Sequence, residues 1–148
     1  MTTLNDALVA TSVGVLEDLC FVCPDPAEDA APSSKDVLTV EVGFSGPVAG
    51  KLALCFLDVR RAEIASAMLG EGPEPLSEGD IRDAMGEVAN VICGQLLPRI
   101  GGKEAVFDLG APTFVERGAQ AKTDAFVALA ALGGRIEVSL CVTKGSFA

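Results

Sequence analysis

The amino-acid sequence predicts an α+β protein in which about three helices pack on a sheet of about six mainly antiparallel strands, in two layers. Several segments carry apolar residues at helical spacing, others alternate apolar and polar residues, and Gly133-Gly134 joins two such alternating runs. The chain has 148 residues and is 49% hydrophobic, which is enough for one core and too little for two. We therefore expect residues 1–148 to form a single domain, without internal repeats.

The first part of the chain is predicted to form one helix followed by a two-stranded hairpin. Residues 4–20 have the apolar spacing of an amphipathic helix, and the segment 24–34, rich in proline, alanine and acids, predicts a loop. Residues 37–44 place apolar side chains on one face, and a turn at 45–47 leads into a second strand that ends at Phe56. These two strands should lie side by side and antiparallel.

Two further helices are predicted between this hairpin and the C-terminal strands. Asp58 is a candidate N-cap for a short helix that ends at Gly70. Ser77 opens a long helix, and Asp80 three residues later gives a variant of the capping box. We expect this helix to stop at about Leu97, because a proline and a glycine pair follow it.

The C-terminal part of the chain has the pattern of strands. Candidate strands occupy residues 105–109, 113–116 and 122–131, and a last strand covers 135–142. The last strand alternates apolar residues with polar or small ones, which predicts one face against the core and one that is less buried. The glycine pair between the last two strands predicts a tight hairpin turn.

Composition excludes several classes of function. The formal net charge is -10 and the isoelectric point is about 4.3, so nucleic acid and anionic membranes would be repelled, whereas a basic patch on a protein would be attracted. No lysine or arginine precedes Lys35, and the longest apolar run, 125–132, is too short to cross a bilayer. We therefore expect a cytoplasmic protein that binds neither nucleic acid nor membrane.

The chain offers little for metal or redox chemistry. It has no histidine, which removes the usual general base near neutral pH and a common metal ligand. Its five cysteines are scattered, which predicts neither a disulfide framework nor a zinc site. Cys20 and Cys23 have the spacing of a redox pair but end a predicted helix, and a thiol-disulfide role would require a lowered thiol pKa. We expect the chain to bind no metal or cofactor.

The long helix that begins at Ser77 has two contrasting sides. Its apolar stripe lies within about 40° on a helical wheel and should face the core: Ile81, Met85, Val88 and Ile92. About 180–240° away lie three polar residues that should face solvent or a partner: Asp83, Glu87 and Asn90. Gly86 and Gly94 are placed on the same outer side, where each costs about 1 kcal/mol relative to alanine, so close approach by another surface is a reason for them. The alternative is that the charges are ordinary solvated side chains and the glycines are tolerated.

The spacing of these residues resembles the signature of the CheX, CheC and FliY phosphatases of bacterial chemotaxis. The resemblance is carried by Asp83-x3-Glu87-x2-Asn90, with Gly86 and Gly94 beside it and Pro112 downstream. It is most specific over residues 77–118. The chain is similar to the CheX branch, whose members carry the motif once, because Asn5 is the only other asparagine and no glutamate lies three residues before it.

The resemblance implies a phosphatase that hydrolyses the phospho-aspartate of a CheY-like response regulator. In that activity Asn90 would position the attacking water, and Glu87 would pair with the lysine of the receiver. The partner-binding residues would be Asp83, Gly86, Gly94 and Pro112, of which the proline would shape the segment beside the helix. The Mg²⁺ ion would be held by the receiver domain and not by this chain.

Two further expectations depend on the resemblance alone. CheX members pair through strand edges, so a homodimer is expected. A relative that kept the fold could instead act as a non-catalytic adaptor, an interaction module in a chemotaxis or two-component signalling complex. The two functions differ in one measurable property, because an adaptor would bind a receiver without shortening the lifetime of its phosphoryl group.

Overall fold

The computed structural model describes residues 3–27, 36–70, 75–115, 123–145 and 147. Within these ranges the chain forms three helices: α1 (Leu4–Cys20), α2 (Arg61–Leu69) and α3 (Glu78–Gly101). It also forms seven strands: β1 (Asp25–Pro26), β2 (Val37–Ser45), β3 (Ala49–Leu57), β4 (Asp108–Leu109), β5 (Thr113–Val115), β6 (Ala125–Ala131) and β7 (Gly134–Lys144). The helices lie against one antiparallel sheet, which confirms the predicted α+β architecture.

The sheet is built around its three long strands. Its order is β1-β6-β7-β3-β2-β4, with β5 also paired with β2, and every neighbouring pair is antiparallel. The predicted alternation is confirmed in β2, whose core-facing residues are Leu38, Val40, Val42 and Phe44. It is also confirmed in β7, whose core-facing residues include Ile136, Val138 and Leu140. The core lies between this face of the sheet and the helices.

The long helix α3 begins as the sequence predicts. The Ser77 hydroxyl accepts a hydrogen bond from the Asp80 backbone N–H at 3.0 Å, and the Asp80 carboxylate accepts one from the Ser77 N–H at 3.1 Å. The first of these bonds satisfies a donor that the first helical turn leaves without an intrahelical partner. The predicted apolar stripe lies in the core, since Met85, Val88 and Ile92 are completely buried.

The end of α3 differs from the prediction. The helix continues through Pro98 for almost another turn and ends at its C-cap Gly102, whose φ is 94°. Proline has no N–H, so the Gly94 carbonyl loses its intrahelical donor, and this cost favours a stop. The exposed position of Gly94 leaves that carbonyl open to water, and the buried Leu96 and Leu97 hold the last turns against the core. Packing therefore outweighs the local preference.

The short helix α2 also starts differently. Its N-cap is Arg60, which makes no side-chain hydrogen bond to the helix, whereas Asp58 lies two residues earlier with a φ of 57°. The Asp58 carboxylate instead accepts a hydrogen bond from the Asp36 N–H at 2.9 Å, which ties the end of β3 to the start of β2. The predicted cap at Asp58 is therefore wrong, and the predicted end at Gly70 is confirmed.

The hairpin of β6 and β7 turns one residue earlier than predicted. Ala131 pairs with Gly134, so the two loop residues are Leu132 and Gly133, with φ values of 48° and 80°. Positive φ at both central residues is the pattern of a type I′ turn, which suits the twist of hairpin strands. Gly134 already belongs to β7, where a side chain would clash with the Leu57 carbonyl oxygen.

Several strand boundaries differ from those predicted. The strand expected at 105–109 is reduced to β4, and the start of the expected loop 24–34 contains β1, which pairs with β6. The predicted strand ends at Glu116 and Lys122 lie outside the described residues, as does most of the loop. Among the described residues, no helix combines the length and the apolar character needed to span a bilayer.

Replacing Ser77 with alanine should destabilise the protein by about 1 kcal/mol, because the Asp80 N–H loses its acceptor at the start of α3. The free energy of unfolding from a urea titration measures this effect. Ser45→Ala is the matched control, because Ser45 is exposed at the end of β2 and caps no helix. Equal stability of the two variants would show that the capping box does not stabilise α3.

Candidate functional site

The outer side of α3 carries the polar residues that the spacing selects. Asp83 and Glu87 are exposed, and Asn90 is half-buried at the border of the same side. The opposite side of the helix is in the core, as the helical wheel predicts. The accessible surface formed by Asp83, Glu87, Asn90 and the exposed Gly94 is called the α3 face below.

The sequence places Gly86 on this outer side, but the structure buries it. An added Cβ at Gly86 would lie 3.2 Å from Pro112 Cγ and 3.5 Å from Phe114 Cζ. On the wheel Gly86 lies about 140° from Ile81, at the flank of the helix, and the segment 112–114 covers this flank. The close approach that the glycine predicts exists, but the approaching surface belongs to the same chain. Pro112 lies beside the helix, where the sequence interpretation placed it.

Gly94 differs from Gly86 because nothing lies beside it. It is exposed, and no atom lies within 4 Å of an added Cβ. It follows Asn90 by four residues, so the two are neighbours on the helix surface. The α3 face is therefore flat at this point, and a docked surface could approach the helix backbone closely.

The Asn90 amide has unused hydrogen-bonding capacity. Its Oδ1 is buried and has no hydrogen-bond partner within the described part of the chain, although the residue as a whole is half-buried. An unsatisfied buried acceptor costs about 1–3 kcal/mol. Helical side chains lean towards the N-terminus, so Asn90 extends over the turn that holds Gly86 and Glu87.

The first half of α3 carries several exposed carboxylates and a single basic side chain. Four carboxylates are exposed and form no ion pair among the described residues: Glu78, Asp80, Asp83 and Glu87. Arg82 is the one basic residue in this part of the helix, and it is half-buried. Its guanidinium carbon lies 5.4 Å from the centre of the Phe114 ring. The α3 face is therefore negative, with a positive group at its border.

Arg82 and Phe114 are not among the residues that the sequence motif selects. Phe114 pairs with Val40 in the sheet, and this pairing places its ring beside α3. The sequence contains part of the signal, because Arg82 precedes Gly86 by four residues and therefore lies on the same ridge of the helix. The rest depends on how β5 packs along α3, and no local pattern gives that contact.

The cysteines do not form a reactive site. Burial raises the pKa of Cys20 to about 11 and that of Cys93 to about 12, so both thiols are neutral near pH 7. Cys20 is buried, whereas Cys23 is exposed. A thiol-disulfide role would require a lowered thiol pKa, and burial shifts Cys20 in the opposite direction.

A cleft of about 530 Å³ lies at the start of α2 and reaches the first turn of α3. Its arginines are paired with carboxylates of the same cleft: Arg61 with Asp36 at 3.1 Å, and Arg60 with Glu63 at 3.0 Å. The cleft ends at Ile81, about 13 Å along the helix from Asn90. This cleft therefore lies apart from the α3 face, which is the candidate site.

Comparison with known proteins identifies the family. The sequence profile described as chemotaxis phosphatase CheX matches residues 38–142, which include α3, Pro112 and most of the sheet. The fold and this match place the chain in the CheC/CheX/FliY class. Within that class, the chain belongs to the CheX family. No curated protein sequence matches the chain.

Three solved structures share the fold. CheX from Desulfovibrio desulfuricans is 21% identical with a TM-score of 0.73, and the alignment covers 95% of this chain and 99% of that chain. CheX from Vibrio vulnificus is 20% identical with a TM-score of 0.71, covering 96% and 97%. A CheX–CheY–BeF3–Mg+2 complex from Borrelia burgdorferi is 21% identical with a TM-score of 0.70, covering 97% and 100%. At these identities the similarity establishes the fold alone.

The two glycines of α3 should respond oppositely to larger side chains. Gly94→Ala should raise the free energy of unfolding by up to about 1 kcal/mol, because alanine favours the helix and finds open space. Gly86→Leu should lower it by about 1–3 kcal/mol, because the new side chain must displace Pro112 and Phe114. Urea unfolding of both variants beside the wild type provides the measurement. If Gly86→Leu were as stable as Gly94→Ala, the packing of Pro112 over Gly86 would be wrong.

The burial of Cys93 predicts a loss of stability at alkaline pH. Its pKa is raised from 9.0 to about 12 in the folded protein, so the unfolded chain releases this proton at a lower pH than the folded one. The contribution of the protonated Cys93 thiol to the free energy of unfolding is complete below pH 9.0 and is lost as the pH rises towards about 12. The free energy of unfolding of the wild type should fall more steeply over this range than that of Cys93→Ala. Cys23→Ala, at an exposed position, should keep the steep dependence, and equal slopes for wild type and Cys93→Ala would contradict the expectation.

Proposed function

We propose that this chain accelerates hydrolysis of the phospho-aspartate of a CheY-like response regulator, with the α3 face docked over the phosphorylated site. The family is described as a chemotaxis phosphatase, and one structure with the same fold is a CheX–CheY complex that contains BeF3 and Mg+2. One observation carries the proposal: Glu87 and Asn90 lie one turn apart on an accessible side of α3, whose apolar side is turned inward.

In this proposal, Asn90 positions the attacking water. An amide can accept a hydrogen bond through its oxygen and donate through its nitrogen, without a charge that would repel the phosphoryl group. Oδ1 of Asn90 has no hydrogen-bond partner among the residues that the structure describes, which supports this role, but it is enclosed in the free protein. The amide therefore turns on docking, and no hydrogen bond of that oxygen has to be broken for it to turn. An acceptor that is unsatisfied in the free protein gains a donor in the complex.

In this proposal, Glu87 fixes the position and orientation in which the receiver docks. Its carboxylate is exposed and forms no ion pair within the described ranges. A carboxylate close to a phosphoryl group is repulsive unless it binds a cation, and the lysine of the receiver is that cation. Asn90 follows Glu87 by three positions, about 4.5 Å along the helix axis, so the lysine and the water would lie close together. Asp83 contacts the receiver more peripherally, and Gly94 allows close approach.

The receiver is proposed to supply the remaining groups. Its Mg²⁺ and its lysine balance the phosphoryl charge, so this chain contributes mainly by positioning water in line with the scissile bond. The α3 face offers carboxylates and an amide, which can anchor a partner and orient a water. The Mg²⁺ is therefore assigned to the receiver, and no cofactor is assigned to this chain.

A homodimer formed through strand edges remains a prediction of the resemblance. On one side of the sheet, the edge of β6 is already occupied. The Asn5 side chain accepts a hydrogen bond from the Phe126 N–H at 3.0 Å, and the Ala27 N–H donates to the Ala128 carbonyl at 3.0 Å. The opposite side is formed by β4 and β5, whose exposed apolar residues are Leu109 and Val115. Among the described strands, β4 and β5 therefore offer one edge for a contact between two copies, and the outer edge of β1 offers the other.

Asn90→Ala should reduce the acceleration of receiver dephosphorylation by about a hundredfold or more and leave receiver binding largely intact, because alanine cannot hold the water. Glu87→Ala should weaken both activity and binding, because the docking register is lost. Phosphate release from several phosphorylated receivers of the same cell measures activity, and titration with each receiver measures binding. Gln95→Ala is the matched control, because it removes an exposed amide of α3 that lies outside the α3 face.

Two outcomes would contradict this function. Full activity of Asn90→Ala would falsify the assignment of the water to its side chain. A wild-type protein that binds a receiver without shortening the lifetime of the phosphoryl group would be an adaptor.

A further inference from the structure

Arg82 lies at the border of the α3 face and is not paired with the carboxylates around it. Glu78 precedes it by four residues, a spacing at which glutamate and arginine pair on a helix. No ion pair to Arg82 exists among the described residues, and its guanidinium instead lies 5.4 Å from the centre of the Phe114 ring. Among the described residues, the N–H donors of the guanidinium therefore have no carboxylate partner, and the Phe114 ring is the group against which it lies.

Phe114 is a fixed platform for this guanidinium. It pairs with Val40 in the sheet, and its ring packs over Gly86 on α3. Arg82 is half-buried, so its side chain is held against the protein. An arginine that is already ordered loses less conformational entropy on binding than a freely moving one. The group is therefore prepared for a partner.

The position of Arg82 separates it from the phosphoryl chemistry. Arg82, Gly86 and Asn90 follow one another at intervals of four residues, so they lie along one ridge of α3. Arg82 is about 12 Å from Asn90 along the helix axis. Its guanidinium lies against the Phe114 ring, which packs over Gly86 at the covered flank of the helix. Under the proposed docking, Asn90 faces the phospho-aspartate, and Arg82, about two turns earlier in α3, would face a neighbouring part of the receiver.

We propose, on the basis of the function proposed above, that Arg82 is a second docking contact and binds a carboxylate on the receiver surface next to the phosphorylated site. A planar guanidinium can hold a carboxylate through two parallel hydrogen bonds. The neighbouring Glu78 and Asp83 repel a carboxylate elsewhere on this part of the helix, so Arg82 marks the position where one is accepted. Glu87 binds a cation of the receiver and Arg82 binds an anion of the receiver. Because both contacts must form at once, only one orientation of the docked receiver is allowed.

Charge changes at Arg82 test this contact. With the phosphorylated receiver that responds to the wild type, Arg82→Gln should raise KM about two- to fivefold, as expected for one surface ion pair, with kcat unchanged. Arg82→Glu should raise KM about tenfold or more, because it sets one carboxylate against another. Arg82→Lys should fall between wild type and Arg82→Gln, since it keeps the charge without the planar donors. The Kd for the same receiver, measured by titration, should follow KM.

Lys103→Glu is the matched control for net charge. It changes the formal charge from -10 to -12, as Arg82→Glu does, at an exposed residue just past the C-terminus of α3. General repulsion by a more negative protein would affect both variants equally and would be screened by salt. A specific contact at Arg82 predicts that Lys103→Glu keeps the KM of the wild type.

Phe114→Leu separates the effect of the ring from that of the charge. Leucine keeps an apolar cover over Gly86 but removes the aromatic face on which Arg82 lies. We expect its KM to rise about two- to fivefold, and we expect Arg82→Gln to have little further effect in this background. If the KM increases of Phe114→Leu and Arg82→Gln multiplied fully in the double variant, the positioning of Arg82 by the ring would be overturned.

Failure of this contact can be distinguished from failure of the phosphatase. If the wild type accelerates dephosphorylation, equal KM and Kd values for wild type, Arg82→Glu and Lys103→Glu would overturn the Arg82 contact and leave the phosphatase intact. If the wild type binds a receiver without acceleration, the phosphatase is overturned, and the Kd series still decides the Arg82 contact. A wild type that binds no receiver would overturn both.

Discussion

The packing of Pro112 and Phe114 over Gly86 is the contact on which the α3 face depends. β5 pairs with β2, and α3 is held against the same sheet by its apolar stripe, so the strand segment and the helix meet along one flank. A glycine lets the proline ring approach the helix this closely without displacement. The accessible surface of α3 is thereby narrowed to one side, and Asn90 lies at its border.

This border explains two unusual features of the site. Within the described ranges, the Asn90 Oδ1 is enclosed and has no hydrogen-bond partner, and the Arg82 guanidinium lies against the Phe114 ring and not in an ion pair. A buried acceptor without a partner generally costs about 1–3 kcal/mol, and under the proposed function a hydrogen bond formed on docking would offset that cost.

Features set by neighbours in the sequence could be predicted, and features set by distant segments could not. The capping box at Ser77 and the alternation in β2 depend on residues a few positions apart, and the structure confirms both. The burial of Gly86 and the continuation of α3 through Pro98 depend on the segment 112–114 and on the core, so the sequence pattern missed them. The helical wheel correctly placed the polar residues of α3 opposite its apolar stripe, but the roles proposed for them came from the family resemblance. The enclosed amide oxygen had no local signal, and the sequence showed only the position of Arg82 on the ridge of Gly86, not its contact with Phe114.

An accessible helix face suits the proposed reaction, in which most of the charged groups would lie on the partner. A cleft would have to admit part of a folded domain, whereas one side of a helix can itself enter a shallow site. The chain has no histidine, so it lacks the usual group for proton transfer near neutral pH, and what it can add is geometry. Glu87 would fix the docked protein, and Asn90 is placed relative to it by one turn of rigid backbone. The accuracy of that placement comes from the helix and from the segment packed over Gly86, because neither residue is carried by a loop.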